Sequence, residues 1–417
     1  MELKSGYKQT EVGLIPEEWK SSTVRGLASS ARNAIVGGPF GSDLVSRDYV
    51  EHGVPVIRGQ NMSGQWVSGT FVFVTSAKAK SLEANLARPG DIVFTQRGTL
   101  GQVSLVPGKP FESYLVSQSQ MKLSVNREVA DPLFFFYVFT SEKQQELISG
   151  GTIQTGVPHI NLGILRDIPV QLPPLPEQRA IAGVLSDVDE LIGALDQLIG
   201  KKRDLKQATM QQLLTGQTRL PGFRGEWEVK RLGDVVEKLA GGGTPSRANP
   251  AFWGKEIPWV TVKDFATFHP QQTQESITKE GLKQSASNLI PAGTLITSTR
   301  MALGKAVIYE IDVAINQDLK AVFLWPNATV LFLYYWLEYH ARMIDELGSG
   351  STVKGISISD LKGIPFLLTS VTEQTAIVEV LSDMDAELAA LEQRRNKTYD
   401  LKQGMMQELL TGRTRLV

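Results

Sequence analysis

The chain has 417 residues, 42% of them hydrophobic and 21% charged, with 43 Lys+Arg against 44 Asp+Glu and no cysteine. That length predicts about two to four domains with real apolar cores, which excludes disorder and collagen-like architecture, while the missing cysteines exclude disulfides, thiol nucleophiles and Cys-containing zinc sites. Taken over the whole chain, a formal net charge of −1 argues against a nucleic-acid partner, because Lys and Arg supply most of the affinity for phosphate.

The chain opens on Met-Glu-Leu-Lys-Ser, without an apolar signal region, so no export is expected and the cytoplasm is the expected compartment. Residues 1–20 form an N-terminal segment, and 21–175 a variable region rich in short β-type runs such as 54–57 and 91–95, punctuated by Gly and Pro. This region ends in an apolar helix over 132–148 and a Gly/Ser-rich loop. A long helix follows over 176–216 and a linker over 217–227. A second variable region, 228–371, has β-type runs such as 295–297 and an apolar helix over 329–347, and a second long helix lies in 372–417. The most apolar runs, 133–139 and 330–337, are far shorter than the roughly 20 residues that span a bilayer, so no membrane role is expected. The four histidines, His52, His159, His269 and His340, show no ligand spacing, and no metal site is expected.

Residues 176–220 and 372–416 are identical at 26 of 45 positions at a constant offset, so the chain is a tandem duplication. The repeat runs more weakly through the variable regions, setting Arg97 opposite Arg300 and Gly101 opposite Gly304. Residues 10–19 align without gaps on 218–227, so the N-terminal segment continues the pattern where residue 417 ends. Cyclic pseudo-twofold symmetry follows, with the two ends of the chain close in space.

In the first long helix Ile181, Val188 and Leu195 take heptad position a, with Val184, Leu191, Leu198 and Leu205 at d and Leu185, Ile192 and Ile199 at e. The second helix repeats this but interrupts it at Glu387, Arg394 and Arg395. A helix of 38 residues would be roughly 57 Å long. Two such helices related by a twofold axis would pack antiparallel and hold the variable regions apart; a helical hairpin inside one core is the alternative. Gly183, Gly193 and Gly200 lie on outward positions, where they either admit a close partner helix or are simply tolerated. The fold class expected is α/β (α+β): two mostly-β domains joined and separated by two long antiparallel coiled-coil helices.

The chain carries the motifs Gly13-Leu-Ile-Pro-Glu-Glu-Trp19, Gly37-Gly-Pro-Phe-Gly-Ser42, Gly53-Val-Pro-Val-Ile-Arg-Gly-Gln-Asn61, Pro173-Pro-Leu-Pro-Glu-Gln178 and Leu213-Leu-Thr-Gly216 in the first half, then Gly242-Gly-Thr-Pro-Ser246 and Ile257-Pro-Trp-Val-Thr261. With them the sequence resembles the specificity subunits of type I restriction-modification systems over essentially its whole length. One departure is Thr369-Ser-Val-Thr372, which replaces the proline-rich lead-in before the second long helix and puts that loop's geometry in doubt. The resemblance implies two target-recognition domains, each reading half of a bipartite duplex DNA target, and helices that set the spacing and dock two methyltransferase subunits. It implies further restriction-translocase subunits, with S-adenosylmethionine, ATP and Mg²⁺ bound by the partners and no cofactor bound by this chain. Because the two variable regions differ, the target would be asymmetric.

Reading bases needs Arg for guanine, Asn or Gln for adenine, and Ser or Thr for either. The loops offer Arg58, Gln60, Asn61, Gln96, Arg97, Thr99, Gln118 and Gln120 in the first half, and Lys263, Thr299, Arg300, Asn316, Gln317 and Lys320 in the second. Arg97 and Arg300, sharing one position in domains of different specificity, are as well suited to phosphate as to a base. Catalytic motifs are degenerate. Asn249-Pro-Ala-Phe252 lacks the second proline of an adenine-methyltransferase loop, the Gly-rich runs lack a Gly-Lys-Ser/Thr ending, and Glu18-Trp-Lys20 lacks the acidic partner of a nuclease site. A non-catalytic DNA-recognition subunit is therefore expected; the alternatives are a DNA-acting enzyme with degenerate motifs and a coiled-coil scaffold without a DNA role.

Overall fold

Short β-branched runs broken by Gly and Pro give strands of two to eight residues, too small to bury a core without helices laid against them. The computed structural model describes residues 6–150, 159–350 and 353–416; most of the first Gly/Ser-rich loop, and residues 351 and 352 of the second, lie outside them. Two units are present. The first comprises Met1–Leu195 with Arg394–Val417, the second Asp196–Gln393. Each compact unit thus takes a piece of both long helices, where the sequence suggested six segments in series.

In the first unit an antiparallel sheet has the order Val103–Leu105, Ile92–Thr95, Gln120–Leu123, Ile35–Gly37. A second sheet has the order Tyr49–Val50, Val72–Val74, Val54–Ile57, Tyr114–Val116, Leu86–Ala87, with one parallel pairing between Val54–Ile57 and Tyr114–Val116. The second unit repeats both. Its first sheet runs Ala306–Ile308, Leu295–Ser298, Leu319–Leu324, Val236–Ala240. Its other sheet runs Glu275–Ile277, Trp253–Val260, Val313–Ile315, Leu289–Ile290, again with the central pair parallel. Within these sheets only the edge strand Tyr49–Val50 has no counterpart among the described residues.

An apolar helix covers the antiparallel sheet of each unit. In the first, Phe134, Phe135 and Phe139 share one core with Phe94, Val103, Leu105, Met121 and Leu123. The expected helix over 132–148 is in fact two, Pro132–Thr140 and Glu142–Gly150. Ser141 adopts an extended backbone between them, and its hydroxyl donates back to Val138 O at 2.6 Å, competing with helix continuation. In the second unit Val330–Leu347 is continuous and is capped by the Thr329 hydroxyl.

The long helices run over Leu175–Leu214 and Val371–Leu409 and end before Gly216 and Gly412, both at left-handed φ. Within each unit their pieces are antiparallel: Asp189 pairs with Lys402 in the first, and Lys202 with Glu387 and Lys206 with Asp385 in the second. The buried seam differs from the expected one. Ile181, Leu185, Leu195 and Ile199, at a and e, are buried, whereas Val184, Leu191, Leu198 and Leu205, at d, are 37 to 52% exposed. Each helix piece packs on the neighbouring apolar helix as well as on the other long helix, and this swings the buried face toward e. Tyr137 donates to Asp189 at 2.9 Å and Tyr335 to Asp385 at 2.8 Å on that side.

The cyclic register is met inside the first unit, where Arg415 pairs with both Glu177 and Glu18 and Tyr7 donates to Gly412 O. The Thr369–Thr372 departure leaves the local geometry unchanged. Gln374 N donates to Ser370 O at 2.9 Å as Gln178 N does to Pro174 O at 3.0 Å, and both glutamine amides hold the loops before their helices.

Candidate nucleic-acid interface

In both units the strands of the two sheets deliver three loops to one place. In the first unit Ser117 N donates to Ile57 O at 3.0 Å and Gln96 N to Ser119 O at 2.6 Å, joining the loops after Val54–Ile57, Ile92–Thr95 and Tyr114–Val116. In the second, Asn316 N donates to Val260 O at 3.1 Å and Thr299 N to Asp318 O at 2.9 Å. The same backbone bonds therefore build the same platform from different sequences. Behind it a fourth loop enters, pinned in the first unit by Gln118 Nε2 to Leu44 O at 3.0 Å and in the second by Thr244 Oγ1 to Gln317 Oε1 at 2.7 Å.

The candidate residues separate by burial. Asn61 is fully buried, its Oδ1 accepting from Arg58 N and its Nδ2 donating to Ser68 O and Thr70 O, so it fastens its own loop and presents nothing outward. Thr299 is buried with its hydroxyl on Asp318 O, and Asn316 is buried with its amide exchanged with Asp318. Gln120 is buried in strand Gln120–Leu123 and accepts from the Ser117 hydroxyl. These four do not face outward as expected: Asn61, Thr299 and Asn316 bond backbone groups of the platform loops, since a buried backbone group must be bonded, and Gln120 lies within a strand beneath the platform.

The remainder face outward or are half-buried. Gln60, Arg97, Thr99, Gln118, Lys263, Arg300 and Gln317 are exposed; Arg58, Gln96 and Lys320 are half-buried. Arg97 and Arg300 both leave the ends of matching strands, but their surroundings differ in one charge. Arg300 Nη1 lies 3.6 Å from Asp318 Oδ1, whereas Ser119 occupies the corresponding place beside Arg97. The Arg300 loop is also strained: Met301 and Ala302 have φ of 56° and 30°, where the first unit has Gly98 at 98°.

Beneath the first platform Thr95 Oγ1 donates to Gln102 Oε1 at 3.0 Å, and Arg58 Nε and Gln120 Nε2 are buried donors without partners among the described residues. Gln102 was missed in the sequence because it lies between two recognised loop segments, with no motif to mark it. Phe40, within the Gly37–Ser42 motif, is 91% exposed. The motifs that hinted at catalysis are accounted for structurally: Asn249 Oδ1 caps its own turn, and Trp19 is fully buried with Nε1 donating to Glu177. In the second unit Arg247 is clamped by Glu275 at 2.5 and 2.8 Å over the Trp253 ring, and this arginine holds the Glu275 carboxyl below its usual range.

A family model described as the type I restriction modification DNA specificity domain matches the chain twice, over residues 16–201 and 224–398. A Methanocaldococcus jannaschii protein, named by inference the MjaX type I restriction enzyme specificity subunit, is 25% identical over 99% of this chain and 97% of its own length. The EcoR124I/EcoR124II specificity subunit of Escherichia coli is 26% identical over 57% of this chain and 60% of its own. Among solved structures, the S subunit of a type I restriction-modification system from M. genitalium aligns with a TM-score of 0.59 at 16% identity, covering 98% of both chains. A chain from a structure of type I system assembly and conformational transition aligns at 0.58 and 20% identity, over 95% of this chain and 99% of that one. Both share the fold. No helix among the described residues is long and apolar enough to cross a membrane.

Proposed function

Since the chain belongs to the type I restriction-modification DNA specificity family, whose domain it carries twice, we propose that it is the sequence-reading, non-catalytic subunit of a DNA-modifying complex. Each unit reads one half of an asymmetric, bipartite duplex target. The observation that carries this reading is the repeated platform: two matching backbone bonds in each unit, an arginine at the same strand end in each, and different side chains around it. A constant scaffold with variable outward groups is what two readers of different half-sites require.

Partner methyltransferase subunits would dock on the long helices and supply S-adenosylmethionine chemistry; restriction-translocase subunits would supply ATP- and Mg²⁺-dependent steps. The row Val184, Leu191, Leu198 and Leu205 supports docking, because four apolar side chains at heptad spacing stand exposed on one helix face. Mapping of methylated bases in cells with and without the gene tests the proposal. A bipartite methylated sequence that disappears with the gene is the expected result. Modification or cleavage of DNA by the purified chain alone, given Mg²⁺ and S-adenosylmethionine, would overturn the non-catalytic assignment.

A further inference from the structure

Phe40 is the most exposed large apolar side chain among the described residues, at 91%. It stands at the apex of Gly37-Gly-Pro-Phe-Gly-Ser42, and the loop on both sides of it is fixed. Gly38 N donates to Gln120 O at 2.9 Å, and a Cβ at Gly38 would lie 1.8 Å from Ser117 O, so no side chain fits there. Pro39 restricts the backbone before the ring. After it, Asp43 N donates to Phe40 O at 2.9 Å, Gly41 takes a left-handed φ of 50°, and the Gln118 amide donates to Gly41 O and Leu44 O. The loop backbone thus carries the ring into water, where packing within the unit offsets little of its exposure and only a contact outside the unit would bury it.

We propose, resting on the DNA-reading function above, that Phe40 is an apolar probe that enters the groove of the half-site read by the first unit and packs against a base step. Its position carries the choice of DNA. The same Gln118 that pins the loop stands beside Ser119, on which the Gln96 and Arg97 backbones close, so the loop that carries the ring is tied to the segments that carry the exposed Arg97 and Gln118. The corresponding motif of the second unit, Gly242-Gly-Thr-Pro-Ser246, has no aromatic residue, and its Thr244 is bonded to Gln317. A difference between the units is what half-site reading demands; a surface for docking identical subunits would fall on the near-identical helices instead. Apolar side chains that wedge at base steps are a recurrent means of groove recognition, and stacking on an aromatic ring needs no charge.

The test uses the assembled complex with its methyltransferase partners and a duplex carrying the mapped target. Phe40→Ala is expected to weaken target binding by about 10- to 100-fold, while Phe40→Trp retains it. The dependence of binding on salt should keep its slope, because no phosphate contact is lost, and the melting temperature of the chain should not change. With 2-aminopurine stepped through the half-site, fluorescence should rise at one position for the wild-type complex and not for Phe40→Ala. Unaltered affinity and fluorescence in Phe40→Ala would overturn the proposal, as would weaker assembly with the methyltransferase subunits in the absence of DNA, which would make the ring a protein contact. Failure of the wild-type complex to select any duplex would instead defeat the underlying function.

Discussion

Glu373, in the first turn of the second long helix, is buried yet charged, and four donors explain how. Arg219 donates at 2.5 and 2.7 Å, Trp227 Nε1 at 3.1 Å, and the Thr369 hydroxyl completes the set. Burial pushes its pKa up, but Arg219, Thr369 and Trp227 together bring it below the ordinary carboxylate value. A carboxyl depressed in the folded state contributes stability above its unfolded pKa and loses it as pH falls through the folded value. Glu373→Gln should therefore cost about 1–3 kcal/mol at neutral pH, and the gap to wild type in thermal melts should narrow as the pH falls from neutral into and below the ordinary carboxylate range. A gap that stays constant across that window would contradict this account. Glu177 has the equivalent partners in the other unit, with Trp19 Nε1 at 2.9 Å and Arg415. The gapless alignment of Trp19 with Trp227, and of Glu177 with Glu373, was readable in the sequence. The bond between them was not, because Trp19 and Glu177 lie 158 residues apart and nothing local marks an indole donor's acceptor.

At the scale of elements, the heptad stripe told the helices apart from everything else, but it did not tell which of its rows is buried. Spacing alone allows a with d or a with e to face inward; the choice was made by a third neighbour, the apolar helix of each variable region, which lies outside any two-helix pattern. The chain breaks its own symmetry here. Where the first helix exposes Leu191 and Leu198, the second has Glu387 and Arg394. Gly183 and Gly193 meet nothing within 4 Å of a Cβ, so no helix of this chain demands them. Leu191→Glu with Leu198→Glu should leave the isolated chain's stability within about 0.5 kcal/mol, since both residues are exposed, and should abolish or sharply weaken co-purification of a methyltransferase subunit. Loss of stability without loss of assembly would mean that the row packs within the chain. The helix break at Ser141 was likewise invisible, because serine in an apolar run is compatible with a helix until its hydroxyl turns back on the backbone.

The whole chain's near-neutrality, which at first argued against DNA, becomes informative once divided. Residues 21–175 hold 13 Lys+Arg against 11 Asp+Glu, 221–371 hold 15 against 15, and 372–417 hold 6 against 8. Pairing thins even these. Lys122 lies 3.3 Å from Asp91 and Arg25 2.9 Å from Asp167 in the first unit, while Arg247 is bound to Glu275 and Arg300 faces Asp318 in the second. A cation already paired releases few counterions from DNA, because its own charge is partly answered. Arg97, with no ion pair among the described residues, keeps more of its charge for a phosphate than Arg300 does. The isolated chain should bind its target duplex weakly and with a shallow dependence of log K on log salt, and the assembled complex should bind it far more tightly with a steeper slope. In that complex Arg97→Ala should reduce the slope by about one, and Arg300→Ala by less, because Asp318 already offsets its charge. Titrations at several salt concentrations decide it: tight, strongly salt-dependent binding by the chain alone would show that its own surface, rather than a partner's, supplies the grip on the backbone.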